Sequence, residues 1–256
     1  MSARLLRAAA APALLVALWQ LWAGGLADPG RIPFPSRILA AGAGLVASGE
    51  LPFSILQSLG RVLAGYACAA SIALPLGLAM GVVPALERNL DPVIESFRPI
   101  AAIAILPLAI LWFGTGTPAS VFIVAYAAFF TLLVNTVAGV KRVDRGLVDA
   151  ARTMGVARPT ILRVVVLPGA LPQIGVGLRL GLGLAWTAII AAELVVGAKA
   201  GGGTTGGVGA MMFVFYAYSI ELNSIVVCMI AVGLVALLLD RLLRAALARA
   251  LPWAAS

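Results

Sequence analysis

Residues 148–155, Val-Asp-Ala-Ala-Arg-Thr-Met-Gly, form a short polar stretch between long apolar runs, and residues 165–169, Val-Val-Leu-Pro-Gly, follow it. Two alanines favour a short helix from Asp149 to Met154, and Asp149 near its start suits the helix dipole. Gly155 is a natural C-terminal cap, because glycine adopts the left-handed conformation without steric cost. Pro159 stands where a second helix could begin. The sequence therefore predicts a protruding helix–turn–helix, or knob, to which a second protein could bind. The alternative is an ordinary solvated loop between two spans.

The composition is that of an integral membrane protein. Of 256 residues, 62% are hydrophobic and 11% are charged, and the mean hydropathy is +1.08, far from the balance of soluble proteins. The net charge of +8 could indicate nucleic-acid binding. However, the basic residues are scattered in short segments between apolar runs, without interleaved aromatic residues, so we exclude nucleic acid as a partner. We predict an all-α protein in the lipid bilayer, with a single transmembrane domain over residues 1–256 and a core at about 55–245.

The sequence contains no pattern typical of an enzyme or a metal site. It has no histidine, the commonest general base and metal ligand. Its two cysteines, Cys68 and Cys228, lie in apolar runs, which fits neither a disulfide framework nor a metal-ligand pattern. The glycine-rich residues 201–207 lack the Lys-Ser/Thr of a phosphate-binding loop. We therefore predict no catalytic residue, no metal and no cofactor in this chain.

Six apolar segments are candidates for crossing the bilayer, which takes about 20 helical residues. They are residues 8–27, 60–83, 100–113, 119–140, 174–196 and 223–239. A cleaved signal peptide is the alternative for the first segment. The third segment is short, and because Pro107 interrupts it we expect a short or broken span.

The remaining segments are predicted to connect these spans. They are an external Pro-rich loop at 28–36, an amphipathic stretch along the outer surface to Ser58, an internal loop at 84–98, a tight external turn at 114–118, a cytoplasmic loop at 141–172, a glycine-rich external loop at 197–209 and an apolar, partly re-entrant segment at 211–221.

The distribution of basic residues orients the chain. With the N-terminus inside, six spans also return the C-terminus to the cytoplasm. Thirteen Lys and Arg residues then fall inside, at positions 4, 7, 88, 98, 141, 142, 145, 152, 158, 163, 241, 244 and 249. Only three, at positions 31, 37 and 199, fall outside. This bias follows the positive-inside rule and predicts cytoplasmic N- and C-termini.

Four polar residues of the predicted spans are candidates for a translocation pathway. Glu193 is a carboxylate in an apolar run, which makes it a functional candidate by default. The favoured alternative is that it lies at the interface and hydrogen-bonds a neighbouring helix or loop. Tyr126, Thr131 and Asn135 could face a polar pathway, or could equally make interhelical hydrogen bonds.

The spacing of the central stretch resembles a known motif. Asp149-Ala150-Ala151, three residues, Gly155, nine residues, Val165, one residue and Leu167-Pro168 is similar to the EAA motif of binding-protein-dependent ABC transporter permeases. That motif reads Glu-Ala-Ala, three, Gly, nine, Ile, one, Leu-Pro. The two departures, Asp149 for Glu and Val165 for Ile, are conservative.

Further pieces resemble the taurine/alkanesulfonate/nitrate-type branch of these permeases. They are Ser58-Leu59-Gly60-Arg61-Val62-Leu63-Ala64-Gly65, Pro75-Leu76-Gly77 with Met80-Gly81, Arg98-Pro99-Ile100, Leu106-Pro107-Leu108, Leu111-Trp112-Phe113-Gly114, Pro168-Gly169-Ala170-Leu171-Pro172, Ala192-Glu193-Leu194, Gly207-Val208-Gly209 and Leu239-Asp240. The chain departs from the branch at Ala102-Ile103, where proline is common, and in the insertion-like residues 201–207.

The resemblance implies a type I ABC importer permease in the bacterial inner membrane. The coupling loop, with Asp149, Ala150, Ala151, Gly155, Leu167 and Pro168, would dock on a dimer of cytoplasmic ATP-binding subunits, which bind ATP and Mg²⁺. A second permease subunit, most simply an identical copy, and an extracytoplasmic substrate-binding protein would complete the transporter. The implied solute is a small anion such as a sulfonate, taurine or a nitrate-like compound. The alternatives are an amino acid, an osmoprotectant or a pyrimidine precursor, or a membrane assembly protein that transports nothing.

Overall fold

The structure is a computed structural model that describes residues 14–22, 32–199 and 206–254. These residues are helical throughout, with short connections and without a strand. The helices are α1 (residues 14–22 of the described chain), α2 (Pro35–Ala47), α3 (Glu50–Val82), α4 (Pro84–Phe97), α5 (Ala102–Phe113), α6 (Thr117–Lys141), α7 (Arg145–Thr153), α8 (Arg158–Ile161), α9 (Leu167–Lys199), α10 (Val208–Val214) and α11 (Leu222–Ala250). Two π-helical turns, Leu162–Val166 and Phe215–Ser219, and a final 3₁₀ turn, Pro252–Ala254, complete them.

Four helical segments are long and apolar enough to cross a membrane. They are α3, α6, the continuous run Arg158–Val195 and α11. The pair α4 and α5 makes a fifth if a bend of 93° between the two helices is counted within one span. The first predicted span, residues 8–27, falls mainly outside the described residues. The all-helical membrane architecture is therefore confirmed, with four or five spans among the described helices.

Several helices are longer than the spans predicted within them. Helix α3 begins at Glu50, so residues 50–58 are its first turns and run on into the second predicted span. Helix α9 begins at Leu167, inside the predicted cytoplasmic loop, and α11 continues to Ala250. Polar residues near the helix ends lower the local hydropathy, so the apolar run ends there. The backbone hydrogen bonds of the helix nevertheless continue past these residues.

The third predicted span is short, as expected, because α5 has only 12 residues, but the break does not lie at Pro107. Pro107 lies within the unbroken helix α5, between the buried residues Leu106 and Ala109. The break lies instead at residues 98–101, where Pro99 has no backbone N–H to continue the helical hydrogen bonds of α4. Residues 84–97, predicted as a loop, form helix α4, with Pro84 in its first turn.

Contacts divide the chain into two compact units. One comprises residues up to Ser58 together with Glu193–Leu234, and the other comprises Leu59–Ala192 together with the residues from Val235 onwards. Within the first unit, Gly42 of α2 packs on the side chain of Val227 of α11, since a Cβ at Gly42 would lie 3.5 Å from it.

Helix α6 is the centre of the larger unit. Ten of its residues are buried, and glycines let two other helices approach it closely. On α3, Gly65, Gly77 and Gly81 lie so near Val124, Thr136 and Val140 that an added Cβ would overlap those side chains. On α9, Gly177 faces Asn135 in the same way, and a Cβ at Gly181 would make a tight contact of 3.2 Å with Leu132. Small residues at contacts of this kind give the close backbone approach that stabilises helix pairs in lipid.

Candidate functional site

The knob, defined here as Arg145–Ile161, contains α7, a tight turn and α8. Its N-cap is Asp144, whose carboxylate accepts a hydrogen bond of 2.8 Å from the backbone N–H of Gly146. The expectation that Asp149 stands near the helix start was therefore wrong. Asp149 is the fifth residue of α7, and its exposed carboxylate pairs with Arg152 of the next turn at 3.2 Å. Asp144 takes the capping position because an acidic side chain there satisfies an otherwise unpaired N–H group.

The turn after α7 has the geometry of a Schellman motif. Gly155 has φ +75°, as the sequence predicted for a glycine cap. Its N–H donates to the carbonyl of Arg152 at 2.9 Å, and the N–H of Val156 donates to that of Ala151 at 3.1 Å. These two bonds satisfy carbonyls that the end of a helix otherwise leaves unpaired. The predicted second helix is also present, with Pro159 in its first turn.

One face of the knob is fixed to the larger unit. Ala151 is buried in a cluster with residues of α6, α8 and α9. The cluster consists of Val140, Ala151, Ile161, Val166, Ala170 and Ile174, with Val148 packed against it. This position leaves little room for a larger side chain, which explains an alanine there.

Leu167 and Pro168 mark the entry into α9. The N–H of Leu167 donates to the carbonyl of Leu162, five residues back, so the helix makes a π turn just before Pro168. A proline inside an α-helix removes one hydrogen bond and collides with the carbonyl four residues earlier. The wider turn accommodates that defect, and both side chains are half-buried.

The exposed face of the knob includes two apolar side chains that the sequence analysis missed. Leu147 is 59% exposed and Met154 is 75% exposed. With the exposed Ala150 between them, they have the spacing i, i+3, i+7, which places all three along one side of a helix. The signal was present as an apolar stripe in an otherwise charged interval. The knob therefore buries one apolar edge and presents another.

A hydrogen-bonded chain joins the base of the knob to α6 and α9. The guanidinium of Arg142 donates to Gln173 at 2.7 Å, and the amide of Gln173 donates to Oδ1 of Asn135 at 2.9 Å. Asn135 in turn donates to the carbonyl of Thr131 at 2.8 Å. The hydroxyl of Tyr126 donates to the carbonyl of Phe97 at 2.8 Å. Asn135 and Tyr126 thus make hydrogen bonds between helices in this structure.

Glu193 belongs to the other unit and has no exposed surface. The hydroxyl of Ser58 lies 2.9 and 2.7 Å from its two carboxylate oxygens. The backbone N–H of Gly209 donates to Oε2 of Glu193 at 3.0 Å, and that of Val208 donates to the Ser58 hydroxyl at 2.9 Å. We call Glu193, Ser58 and residues 207–209 the Glu193 clamp. It joins the ends of α3 and α9 to the start of α10.

Gly207 completes the clamp because no other residue fits there. It has φ +91°, and a Cβ built on it would overlap the Glu193 carboxylate. The predicted glycine-rich loop 197–209 is correspondingly shorter: α9 continues to Lys199 and α10 starts at Val208. Residues 200–205 lie outside the described chain. Three short motifs, distant in sequence, thus meet at one carboxylate.

The described residues contain no group of three or more His, Cys, Asp or Glu side chains that could hold a metal ion.

Comparisons with known proteins identify the family of the chain. The family described as "Binding-protein-dependent transport system inner membrane component" matches residues 73–251. The taurine transport system permease protein TauC of Escherichia coli is 34% identical over 245 residues, covering 94% of this chain and 86% of that protein. The nitrate import permease protein NrtB of Synechocystis is 31% identical over 250 residues, covering 94% and 87%.

A solved structure shares the fold. A chain of the MetNI methionine ABC transporter in an inward-facing conformation superposes with a TM-score of 0.63 at 22% identity, covering 80% of this chain and 96% of that chain. The family match extends over well more than half of the sequence and includes the whole knob. This chain therefore belongs to the binding-protein-dependent transport system inner membrane components, the permease subunits of ABC importers.

Proposed function

We propose that two copies of this permease subunit form the pathway of an inner-membrane importer for a small anion, and that the knob couples the pathway to ATP hydrolysis by a partner. The knob carries the proposal. It is a compact, exposed helix–turn–helix whose apolar stripe, Leu147, Ala150 and Met154, has no partner among the described residues of the chain. Its surroundings are basic, with exposed Arg145, Arg152 and Arg158.

The knob is suited to fitting a cleft with an apolar floor and an acidic rim on an ATP-binding subunit. A few apolar side chains in the centre of such a contact supply most of the affinity. The basic rim steers association and fixes the orientation. ATP and Mg²⁺ are then bound by that partner, and Asp149, Ala150 and Gly155 serve to shape the contact surface.

Movement of the knob is transmitted because the knob is held rigidly to the membrane helices. Ala151 is packed among residues of α6, α8 and α9, and the Arg142–Gln173–Asn135 chain braces the same junction. When the ATP-binding subunits close, the knobs of the two permease copies approach each other, and α6 and α9 follow. In this proposal the chain has six spans, including the first segment, with both termini in the cytoplasm.

A small anion is the solute that we favour. Relatives whose sequences align with more than nine-tenths of this chain carry the names of taurine and nitrate permeases. A carboxylate facing the pathway would repel an anion, whereas the carboxylate of Glu193 is enclosed and surrounded by hydrogen-bond donors. An amino acid, an osmoprotectant or a pyrimidine precursor remains the alternative, and an extracytoplasmic binding protein would deliver any of them.

The test is ATP hydrolysis by a reconstituted complex of this chain, its cognate ATP-binding subunit and its cognate binding protein, with a panel of solutes. We expect stimulation by a sulfonate or a nitrate-like anion. If only an amino acid stimulates hydrolysis, the solute is an amino acid and not a small anion, while the coupling proposal stands. Failure of the chain to co-purify with the ATP-binding subunit would refute the coupling role of the knob.

A further inference from the structure

The Glu193 carboxyl group lies where an unpartnered polar group is costly. It is in an apolar helix and is fully enclosed, and burial of a polar group without hydrogen-bond partners is unfavourable. Its oxygens accept from the Ser58 hydroxyl and from the N–H of Gly209. Gly209 is in the first turn of α10, where unpaired N–H groups give a partial positive charge. The clamp therefore provides the enclosed carboxyl group with hydrogen-bond donors from α3 and from the first turn of α10.

Capping of α10 alone does not require a carboxylate. The Ser58 hydroxyl already accepts from Val208, and neutral Ser, Thr or Asn side chains cap helices as well as acidic ones do. A buried carboxyl group adds a larger cost of separation. Once it is drawn away from Ser58 and Gly209, it is left without these donors until water or another donor reaches it.

The segment that starts at the clamp is buried at one end and exposed at the other. Val208, Gly209, Ala210 and Met211 are buried. The π turn Phe215–Ser219 follows and ends at Ile220, the one non-glycine residue of the described chain with positive φ, at +51°. Left-handed backbone is unfavourable for a β-branched residue. Tyr216, Tyr218 and Ile220 are all exposed there.

We infer that Glu193 is a positioning residue of the transport cycle. When the loaded binding protein contacts the exposed end of the segment 208–220, Glu193 is released from Ser58 and Gly209, and this release changes the positions of α3 and α9. This rests on the proposed function. Helix α9 begins beside the knob at Leu167 and carries Glu193 near its other end, so a change at the clamp acts on the same helix that the knob moves. The closed clamp holds the segment in one pose, and the open clamp frees it.

The experiment uses the complete transporter in lipid nanodiscs, and compares ATP hydrolysis without the binding protein to hydrolysis with the binding protein and its solute. For Glu193→Gln, which keeps the shape but replaces one accepting oxygen by an NH₂ group, we expect the basal rate to stay near the wild-type rate. We expect stimulation by the loaded binding protein to fall about fivefold or more, as loss of a coupling between sites would give. Ser58→Ala should show a smaller loss of the same kind. Gly207→Ala, which drives a methyl group into the carboxylate, should match Glu193→Gln.

Glu50→Gln is the matched control, because it neutralises an exposed carboxylate of the same unit at the start of α3. It should leave stimulation unchanged. Unchanged stimulation of Glu193→Gln, or a parallel fall of basal and stimulated rates, would overturn the inference and leave Glu193 with a structural role. If Glu193→Gln does not assemble, Ser58→Ala decides by the same two criteria. A wild-type complex that no solute stimulates would instead refute the proposed function.

Discussion

The backbone N–H of Val156 donates a hydrogen bond of 3.1 Å to the carbonyl oxygen of Ala151, and this bond sets the angle between the two helices of the knob. It can form only because the intervening Gly155 has a left-handed backbone, with φ +75°. Val156 and Ala151 both contact the buried cluster beneath the knob. The turn therefore fixes the exposed stripe relative to α6 and α9.

Replacing Gly155 should disable transport while the protein still inserts. Gly155→Ala imposes a left-handed conformation on a residue with a Cβ, at about 1–2 kcal/mol, although no atom lies within 4 Å of the added methyl group. Gly155→Asp adds a charge at the docking surface and should abolish uptake. Solute uptake and the amount of chain in the membrane are the two measurements. Gly183→Ala, also in open space but within α9, should be harmless; normal uptake by Gly155→Asp would exclude the coupling role.

The exposed stripe should be the centre of the contact with the ATP-binding subunit. Leu147→Asp and Met154→Asp should each weaken co-purification with that subunit, because burying a carboxylate in an apolar contact is strongly unfavourable and loss of a central apolar side chain costs about 2 kcal/mol or more. Leu147→Met and Met154→Leu keep the apolar surface and serve as controls. Binding of the purified permease to the isolated subunit measures the effect. Equal affinity of the Asp variants and the controls would place the contact elsewhere on the chain.

The glycines of α3 should tolerate no side chain where α6 approaches. Gly81→Val places its side chain on Val140, and we expect a loss of about 1–3 kcal/mol from overpacking. Gly60→Ala lies on the same helix with no neighbour within 4 Å and should be neutral or slightly stabilising. Thermal unfolding in detergent compares the two variants. A melting temperature for Gly81→Val equal to that of Gly60→Ala would show that α3 and α6 are not packed at this point.

The side chains of Asn135 and Gln173 should be energetically coupled. Their hydrogen bond of 2.9 Å joins α6 to α9, and such bonds within membranes average about 0.6 kcal/mol in double-mutant cycles. We expect a coupling of that order from Asn135→Leu, Gln173→Leu and the double variant, measured as free energies of unfolding in mixed micelles. Additive effects would mean that the bond contributes nothing to stability.

Sequence reasoning found the features of this fold that local chemistry determines. The Gly155 cap and the start of α8 at Pro159 follow from the conformations open to glycine and proline. The turn before α6 follows likewise, with positive φ at Gly114 and Gly116. Residues 119–140 were assigned to a span within three residues of the ends of α6, because nearly every residue there is apolar.

Features that depend on tertiary contact were missed. Hydropathy placed residues 50–58 outside the membrane span because Glu50, Gln57 and Ser58 interrupt the apolar run, yet Ser58 is fully buried through its bonds to Glu193 and Val208. The clamp joins residues 135 positions apart, and no periodicity relates them. Asp149 was predicted near the helix start because the sequence alone did not show that α7 starts four residues earlier, at Arg145.

The π turn at Leu162–Val166 determines how far the knob is rotated about the axis of α9. A turn of this kind holds one residue more than an α-helix uses over the same length. Deleting one residue from it would restore regular helical bonding and would rotate everything on its N-terminal side by about 100° about the helix axis. The stripe of Leu147, Ala150 and Met154 would then face in another direction with its composition unaltered. In this stretch the number of residues matters as much as their identities. Single-residue insertions and deletions should therefore be absent from functional variants.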